Sequence, residues 1–263
     1  MRTEKHWKDI FNTVIQETDI ILEVLDARNP LGTHNNTIEE FVKSHRPEIN
    51  IYLILNKSDI IPKPVIQDWK RYFQSKGYKI FAVSARYNRG ILELEKFLRK
   101  TVIRSNTNIL IVGYPNTGKS SLIEALTRGT KKAGVSNKAG FTRVIQKIKL
   151  TNKMYLIDTP GVIPIDETNE KEMAIKSCMV VDKLEDPLAV VEAIYTLIKR
   201  EQFEQTYKIQ LEPEDELSEI IEKIGKRYGR LKAGGVVNED EVCKLIIRDW
   251  QKNKLHYYTL PPK

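Results

Sequence analysis

The chain carries short, nearly continuous runs of Ile, Val and Leu that alternate with longer amphipathic segments. Such runs are typical of parallel strands that helices cover on both faces of a sheet. The segments between them, including 65–77 and 91–104, space their apolar residues as helices do. This alternation predicts a doubly wound α/β sheet. The four predicted strands are Asp19–Asp26, Ile49–Asn56, Lys79–Ala85 and Asn108–Gly113.

The later part of the chain changes from strand patterns to helical patterns. Segments 144–151 and 153–158 follow as a predicted antiparallel pair, which brings the mostly parallel sheet to about six strands. After Gly161 the strand pattern stops and helical patterns take over. We therefore predict an α/β domain over 1–164 and a smaller all-helical, RNA-binding domain over 165–263. The predicted helical segments of the second domain are 170–184, 187–200, 214–229 and 238–253.

Composition narrows the class of protein. Hydrophobic residues make up 41% and charged residues 30% of the chain, as in folded globular proteins. No uncharged apolar stretch approaches the roughly 18 residues of a membrane span, and the amino terminus lacks the apolar core of a secretory signal, so we expect a cytoplasmic location without membrane contact. We also expect a monomer. Cys178 and Cys243 show no metal-ligand spacing with the four histidines, and we expect neither a structural zinc nor a disulfide.

Charge is divided unevenly along the chain. The net charge of +8 separates into +12 for residues 1–164 and −4 for residues 165–263. A polyanionic partner should therefore meet mainly the first domain.

The segment GYPNTGKS (Gly113–Ser120) has the pattern of a phosphate-binding loop between a strand and a helix. Its N–H groups lie at a helix amino terminus, where partial positive charge favours anions. Lys119 adds a full charge toward the β and γ oxygens, and the Ser120 hydroxyl suits Mg²⁺. The residues predicted to bind phosphate are Asn116, Thr117, Gly118, Lys119, Ser120 and Ser121.

A second phosphate-side element is DTPG (Asp158–Gly161), at the end of a predicted strand. Asp158 can reach Mg²⁺ through its water shell, and Gly161 can bring its N–H close to a γ-phosphate. Thr142 lies between the two elements, where its hydroxyl can complete the Mg²⁺ shell. We predict Lys119, Thr142 and Gly161 as catalytic residues.

A base-binding site is predicted from two other strand ends. In NKSD (Asn56–Asp59), Asp59 can accept the N1 and N2 protons of guanine, which adenine does not offer. Asn56 can tie the base edge to the phosphate loop, and the aliphatic stem of Lys57 can cover a purine face. In VSAR, which contains Ser84, the N–H of Ala85 can meet the guanine carbonyl oxygen.

Together, NKSD, VSAR, GYPNTGKS, GFTR and DTPG resemble the five GTPase motifs, with the base-reading pair ahead of the phosphate loop. This order, with DARNP (Asp26–Pro30) and the final YYTLPP, resembles the circularly permuted GTPases of the YlqF/YawG branch. The resemblance implies a P-loop GTPase sheet, GTP or GDP with Mg²⁺, and a role in assembling the large ribosomal subunit on rRNA. Asn116 resembles the potassium-binding residue of potassium-dependent GTPases, so the resemblance also implies K⁺.

Two features bear on mechanism. Val162 stands where many GTPases have a water-orienting glutamine, so we expect slow intrinsic hydrolysis that K⁺ or a ribosomal particle stimulates. The stretch from Glu124 to Asp158 has no acidic residue between its ends and contains Thr142, and we expect it to contact rRNA phosphates. A non-ribosomal RNA-modification GTPase and a guanine-nucleotide-binding module with negligible turnover remain alternatives. The basic residues of the stretch are Arg128, Lys131, Lys132, Lys138, Arg143, Lys147, Lys149 and Lys153.

Overall fold

A computed structural model describes residues 4–102, 106–128, 146–158 and 169–262. The chain divides into two compact units, one of Met1–Asp166 with Tyr258–Lys263 and one of Glu167–Tyr257. None of the helices in the described ranges combines the length and apolar character that crossing a lipid bilayer requires.

The first unit is built on a six-stranded sheet in the order β3-β2-β1-β4-β6-β5. All neighbouring strands pair in parallel except β5 and β6, which are antiparallel. The predicted mostly parallel sheet and its antiparallel pair are therefore confirmed. The strands are β1 (Ile20–Asp26), β2 (Asn50–Asn56), β3 (Lys79–Ala82), β4 (Thr107–Val112), β5 (Gln146–Lys149) and β6 (Met154–Asp158).

Helices cover both faces of this sheet, as doubly wound topology requires. On β1, Leu22 and Val24 pack with α5 and α6, whereas Ile21 packs with α1 and α3, and Leu25 packs with α4. Successive side chains of β1 thus serve opposite hydrophobic cores. The helices of this unit are α1 (Glu4–Gln16), α2 (Pro30–Thr33), α3 (Asn36–His45), α4 (Lys63–Ser75), α5 (Ile91–Thr101) and α6 (Lys119–Thr127).

The second unit is helical, with one isolated antiparallel bridge between Leu231 and Val237. Its core includes the fully buried rings of Phe203 and Trp250. Its helices are α7 (Glu170–Ile175), α8 (Pro187–Leu197), α9 (Glu201–Tyr207), α10 (Leu217–Arg227) and α11 (Glu239–Gln251).

One helical segment is shorter than the sequence pattern predicts. The predicted helix over 170–184 ends at Ile175, because Ser177 takes a left-handed conformation with φ 61°. The indole of Trp250 donates a hydrogen bond to the Ile175 carbonyl at 2.9 Å, which uses an end carbonyl that the helix leaves unpaired. A single 3₁₀ turn follows at Val181–Lys183.

The final residues belong to the first unit, whereas the predicted division assigned them to the helical domain. The Thr259 N–H donates to the Arg28 carbonyl at 2.8 Å, and the Trp69 indole donates to the Thr259 carbonyl at 2.9 Å. These bonds hold the end of the chain against the loop after β1 and against α4. The boundary predicted at 164 and 165 stays a prediction, because residues 159–168 lie outside the described ranges.

Candidate nucleotide site

The phosphate loop joins the end of β4 to the start of α6 at Lys119. Gly113 and Gly118 have φ values of 144° and 97°, which side chains rarely adopt. A Cβ on Gly113 would lie 2.4 Å from the Val24 carbonyl oxygen, so the loop starts in close contact with β1. These positions require glycine for both conformation and space.

Lys119 is the residue in this loop that carries a full positive charge. Its Nζ donates hydrogen bonds to the carbonyl oxygens of Gly113 at 2.7 Å and Tyr114 at 2.8 Å. Asn116 is exposed with φ 61°, and Ser120 and Ser121 are exposed at the first turn of α6. Asn116, Ser120 and Ser121 are therefore accessible to a ligand, whereas Thr117, which was also predicted to bind phosphate, is buried and donates its hydroxyl to the Tyr114 carbonyl at 2.9 Å.

The base-side motif begins where β2 ends. Asn56 is its last strand residue and is buried, and Lys57 turns the chain with φ 61°. Asp59 lies in the 3₁₀ turn Ser58–Ile60 and is half-buried. The motif residues thus leave the sheet at the carboxyl end of a central strand, where α/β sheets bind ligands.

Asn56 joins the three loops that were predicted to form the site. Its Nδ2 donates to the Thr117 carbonyl at 2.9 Å, which links the base-side motif to the phosphate loop. Its Oδ1 accepts a hydrogen bond from the Ala85 N–H at 3.1 Å. A Cβ on Gly118 would come within 2.2 Å of Asn56 Nδ2, so the glycine leaves the space that the link needs. One buried amide therefore holds residues from both predicted sites at one sheet edge.

The loop after β3 differs from its predicted role in one respect. The Ala85 N–H, which the sequence assigned to the guanine carbonyl oxygen, donates to Asn56 in this structure. Ser84 is buried beside it, and its backbone exchanges two hydrogen bonds with Arg89 at 3.0 and 3.1 Å. Ala85 therefore positions Asn56 within a tight turn.

The DTPG motif is described only at its first residue. Asp158 ends β6, next to Ile111 of β4, and is half-buried. Burial raises the pKa of its carboxyl group, and the charge of Lys119 opposes that rise. Asp158 and Lys119 therefore interact across neighbouring strand ends. Thr142, Gly161 and Val162 lie outside the described residues.

The donor set fits a hard divalent cation beside a phosphate. Mg²⁺ prefers oxygen ligands and usually keeps several waters, and Ser120 and Asp158 provide a hydroxyl and a carboxylate at this edge. Loop N–H groups at the start of α6 favour an anion. Ser120 and Asp158 are thus the described residues that would hold Mg²⁺, and the assignment of K⁺ to Asn116 stays a prediction.

An ionic network behind the base-side loop was missed by the sequence predictions. Asp26, buried at the end of β1, accepts bonds from Arg28 and from the Lys57 ammonium, both at 2.7 Å. Burial would raise the pKa of Asp26, but the two cations lower it to about 2. The ion pair with Asp26 thereby fixes the position of the Lys57 ammonium. The DARNP motif contains both Asp26 and Arg28, but in the sequence it indicated only a family resemblance.

Comparison with family models agrees with this geometry. The model of the RsgA GTPase family matches residues 2–167, and a model described as 50S ribosome-binding GTPase matches residues 108–228.

Curated relatives and solved structures point the same way. Nucleolar GTP-binding protein 2 of Pneumocystis carinii is 32% identical over 98% of this chain and 54% of its own length. An uncharacterized GTP-binding protein of Methanocaldococcus jannaschii is 35% identical over 97% of this chain and 68% of its own length. This chain thus spans about half the length of the nucleolar relative.

GNP-bound YlqF from T. maritima shares the fold, with a TM-score of 0.69 at 24% identity over 95% of this chain and 96% of that one. The RsgA family match covers more than half of the chain, and the M. jannaschii relative matches over most of both lengths. The strands that carry the base-side motifs, β2 and β3, precede the phosphate loop in the chain, which is the circularly permuted order. The chain belongs to the circularly permuted ribosome-biogenesis GTPases.

Proposed function

We propose that this protein binds guanine nucleotide with Mg²⁺, hydrolyses GTP, and acts as a switch in assembly of the large ribosomal subunit. The observation that carries the proposal is the Asn56 amide, which bonds both the phosphate loop and the turn after β3. A base held near Asp59 and phosphates held near Lys119 would then belong to one ligand.

Each residue has a chemical task in this proposal. Asp59 accepts the two guanine protons, and the stem of Lys57 covers the base while its ammonium stays on Asp26. Lys119 and the N–H groups of the loop neutralise the phosphates, and Ser120 and Asp158 hold Mg²⁺, which supplies charge neutralisation when bound. Thr142 and Gly161 act at the γ-phosphate as the motifs predict.

A glycine pair tests the nucleotide site. Gly118→Ala places a Cβ against Asn56 Nδ2, whereas Gly77, with φ 87°, has nothing within 4 Å of its Cβ position. Both substitutions strain the backbone, but only the first disturbs the link between the loops. We expect Gly118→Ala to weaken binding of a fluorescent GDP analogue by about 100-fold or more, and Gly77→Ala to bind like wild type. Equal affinities of these two variants, or displacement by ATP as effective as by GTP, would contradict the site.

Slow, stimulated turnover is the second part of the proposal. Valine at position 162 cannot hydrogen-bond water, so hydrolysis should depend on added charge. We expect phosphate release to be faster in K⁺ than in Na⁺, and Asn116→Ala to remove that difference. Binding of GTP without measurable release, even with ribosomal subunits present, would favour the alternative of a nucleotide-binding module.

The proposal of a ribosomal partner is supported by the basic stretch 125–157 and by similarity to 50S ribosome-binding GTPases and nucleolar GTP-binding proteins. Residues 125–157 contain no acidic residue, and the described part of that stretch includes Lys147, Lys149 and Lys153. Arg128 is described as well, whereas Lys131, Lys132, Lys138 and Arg143 lie outside the described ranges. Cytoplasmic location and a monomeric state stay predictions.

A charge-matched pair of variants tests that partner. Replacing Lys131, Lys132 and Lys138 with Ala should weaken binding to large ribosomal subunits and reduce its salt dependence. Replacing the exposed Lys63, Lys76 and Lys96 removes the same charge from elsewhere in the unit and should change binding less. If both triple variants lost the same affinity for the subunits, the loss would reflect total charge alone and would not support a specific ribosomal contact. The alternative of an RNA-modification GTPase would then have to be tested with an RNA substrate.

A further inference from the structure

Three ionisable side chains meet inside the first unit, and none of them was predicted to bind nucleotide. Glu23, on β1, is fully buried, Glu39, on α3, is 4% exposed, and the His34 side chain is 7% exposed. His34 Nε2 lies 3.0 Å from Glu39 Oε1 and 3.6 Å from Glu23 Oε2. One donor atom from each residue thus lies within 4.8 Å of the other two. We call these three residues the buried cluster.

One oxygen of the buried cluster lacks a hydrogen bond. Glu23 Oε2 faces His34 and makes none among the described residues, although it is inaccessible to solvent. A buried carboxylate oxygen without a donor is costly, because burial removes its water without replacing it. Glu23 Oε2 is therefore directed at a position where a cation would be stabilising.

The other atoms of the carboxylates are already fixed. Glu23 Oε1 accepts the Asn35 N–H at 2.7 Å, and Glu39 Oε2 accepts the Tyr78 hydroxyl at 2.7 Å. Lys43 reaches Glu39 Oε2 at 3.5 Å from the exposed side. Outer partners of this kind orient metal ligands and leave one oxygen of each carboxylate to point inward.

Aromatic side chains enclose the imidazole. The His34 ring packs edge-on against Phe73, with centroids 5.8 Å apart, and against Tyr78, with centroids 5.5 Å apart. As metal ligands, two deprotonated carboxylates and a neutral imidazole would carry two negative charges, which one divalent ion would neutralise.

We propose that Glu23, His34 and Glu39 bind a first-row divalent transition-metal ion, with Zn²⁺ as the principal candidate. Ligand atoms about 2.1 Å from such an ion lie roughly 3.0 to 3.6 Å apart, which matches the two distances from His34 Nε2. Imidazole as a ligand favours Zn²⁺ or Co²⁺ over Mg²⁺ or Ca²⁺.

This site is distinct from the Mg²⁺ site proposed above. Leu22 and Val24 pack with α6 on one face of the sheet, so Glu23, between them, lies on the other face. The proposed role of the ion is to hold the β1–α3 region together.

The test measures metal binding by the full-length, nucleotide-free protein in excess Mg²⁺, which occupies hard-oxygen sites. After treatment with a chelator, the protein is titrated with Zn²⁺, and separately with Co²⁺, whose visible absorption reports nitrogen and oxygen ligands. We expect wild type to bind one equivalent of Zn²⁺. Glu39→Gln and His34→Gln should weaken that binding by at least about 100-fold, and Tyr78→Phe by about 10-fold.

His45→Gln is the matched control, because His45 is an exposed histidine at the end of α3. It should bind Zn²⁺ as wild type does. Thermal unfolding in chelator establishes that each variant is folded, and added Zn²⁺ should raise the midpoint of wild type and His45→Gln but not that of His34→Gln. No Zn²⁺ binding by wild type, or the same binding by His34→Gln, would overturn the proposal and leave the buried cluster as a proton-sharing network.

Discussion

Two acidic residues of β1 lie three positions apart and are almost equally buried, but their pKa values are shifted in opposite directions. Asp26, at the end of the strand, is 3% exposed, and Arg28 and Lys57 both bind it. Glu23, in the middle of the strand, is fully buried, and its Oε2 has no hydrogen bond among the described residues. The difference between them therefore lies in their partners.

The pKa values follow that difference. Burial raises the pKa of Glu23 to about 7, although His34 and the Asn35 N–H oppose the rise. Burial also acts on Asp26, but its two cations bring the pKa down to about 2. A carboxylate in a protein interior is ionised or protonated according to the charges that face it. The end of β1 is thus a completed ion network, and its middle still lacks a full counter-charge.

Replacing each carboxylate with its amide should lower the free energy of unfolding far more at Asp26 than at Glu23. Asp26→Asn removes the carboxylate that the buried Arg28 guanidinium and the Lys57 ammonium both bind, and we expect a loss of about 3–5 kcal/mol in the free energy of unfolding. Glu23→Gln keeps the shape and the acceptor for the Asn35 N–H, so in chelator its loss should stay below about 1.5 kcal/mol. Urea unfolding at pH 7 measures both.

Asp68→Asn is the control for these amide variants, because Asp68 pairs with Arg71 on the surface of α4. Removing that pair should cost about 0–1 kcal/mol. If Asp26→Asn and Glu23→Gln lost the same free energy, burial alone would account for both residues, and the contrast in partners would be wrong.

The stability that Asp26 contributes should depend on pH. Its folded pKa, about 2, lies below the ordinary value of 3.8, so its contribution to stability is present above pH 3.8. That contribution, about 2.5 kcal/mol, should disappear as the pH falls from 3.8 toward 2. The difference in unfolding free energy between wild type and Asp26→Asn should shrink over this interval. A constant difference between pH 6 and pH 2 would contradict the assignment.

The sequence predicted those features that consecutive residues encode. Apolar runs specify β1 and β2, and Gly113–Ser120 occupies the turn between β4 and α6, because glycine and helix-start chemistry are local. The Asn56 link was also predictable, since strand ends of a parallel sheet share one edge.

Long-range contacts were not predictable in this way. Thr259 bonds Arg28 across 231 positions, and no local pattern selects that partner. The spacing of histidines and cysteines does not indicate the buried cluster, because His34 meets two carboxylates that lie apart from it in the sequence. Glu23 stands within an apolar strand pattern, so only the folded sheet reveals that its side chain enters the core beside α3.

A smaller effect than that at Asp26 is expected at Tyr78, the neutral donor that binds Glu39 of the buried cluster. The Tyr78 hydroxyl donates to Glu39 Oε2 at 2.7 Å, so Tyr78→Phe leaves a mostly buried carboxylate with one donor fewer. We expect a loss of about 1.5 kcal/mol in chelator, the low end for a hydrogen bond to a charged group, because Lys43 can approach the freed oxygen. Tyr52→Phe, in a half-buried ring packed edge-on against Phe97, should stay within about 0.5 kcal/mol of wild type. Equal urea midpoints for Tyr78→Phe and Tyr52→Phe would mean that the tyrosine hydroxyl adds nothing to the stability of the buried cluster, and that its ring packing alone holds Glu39 in place.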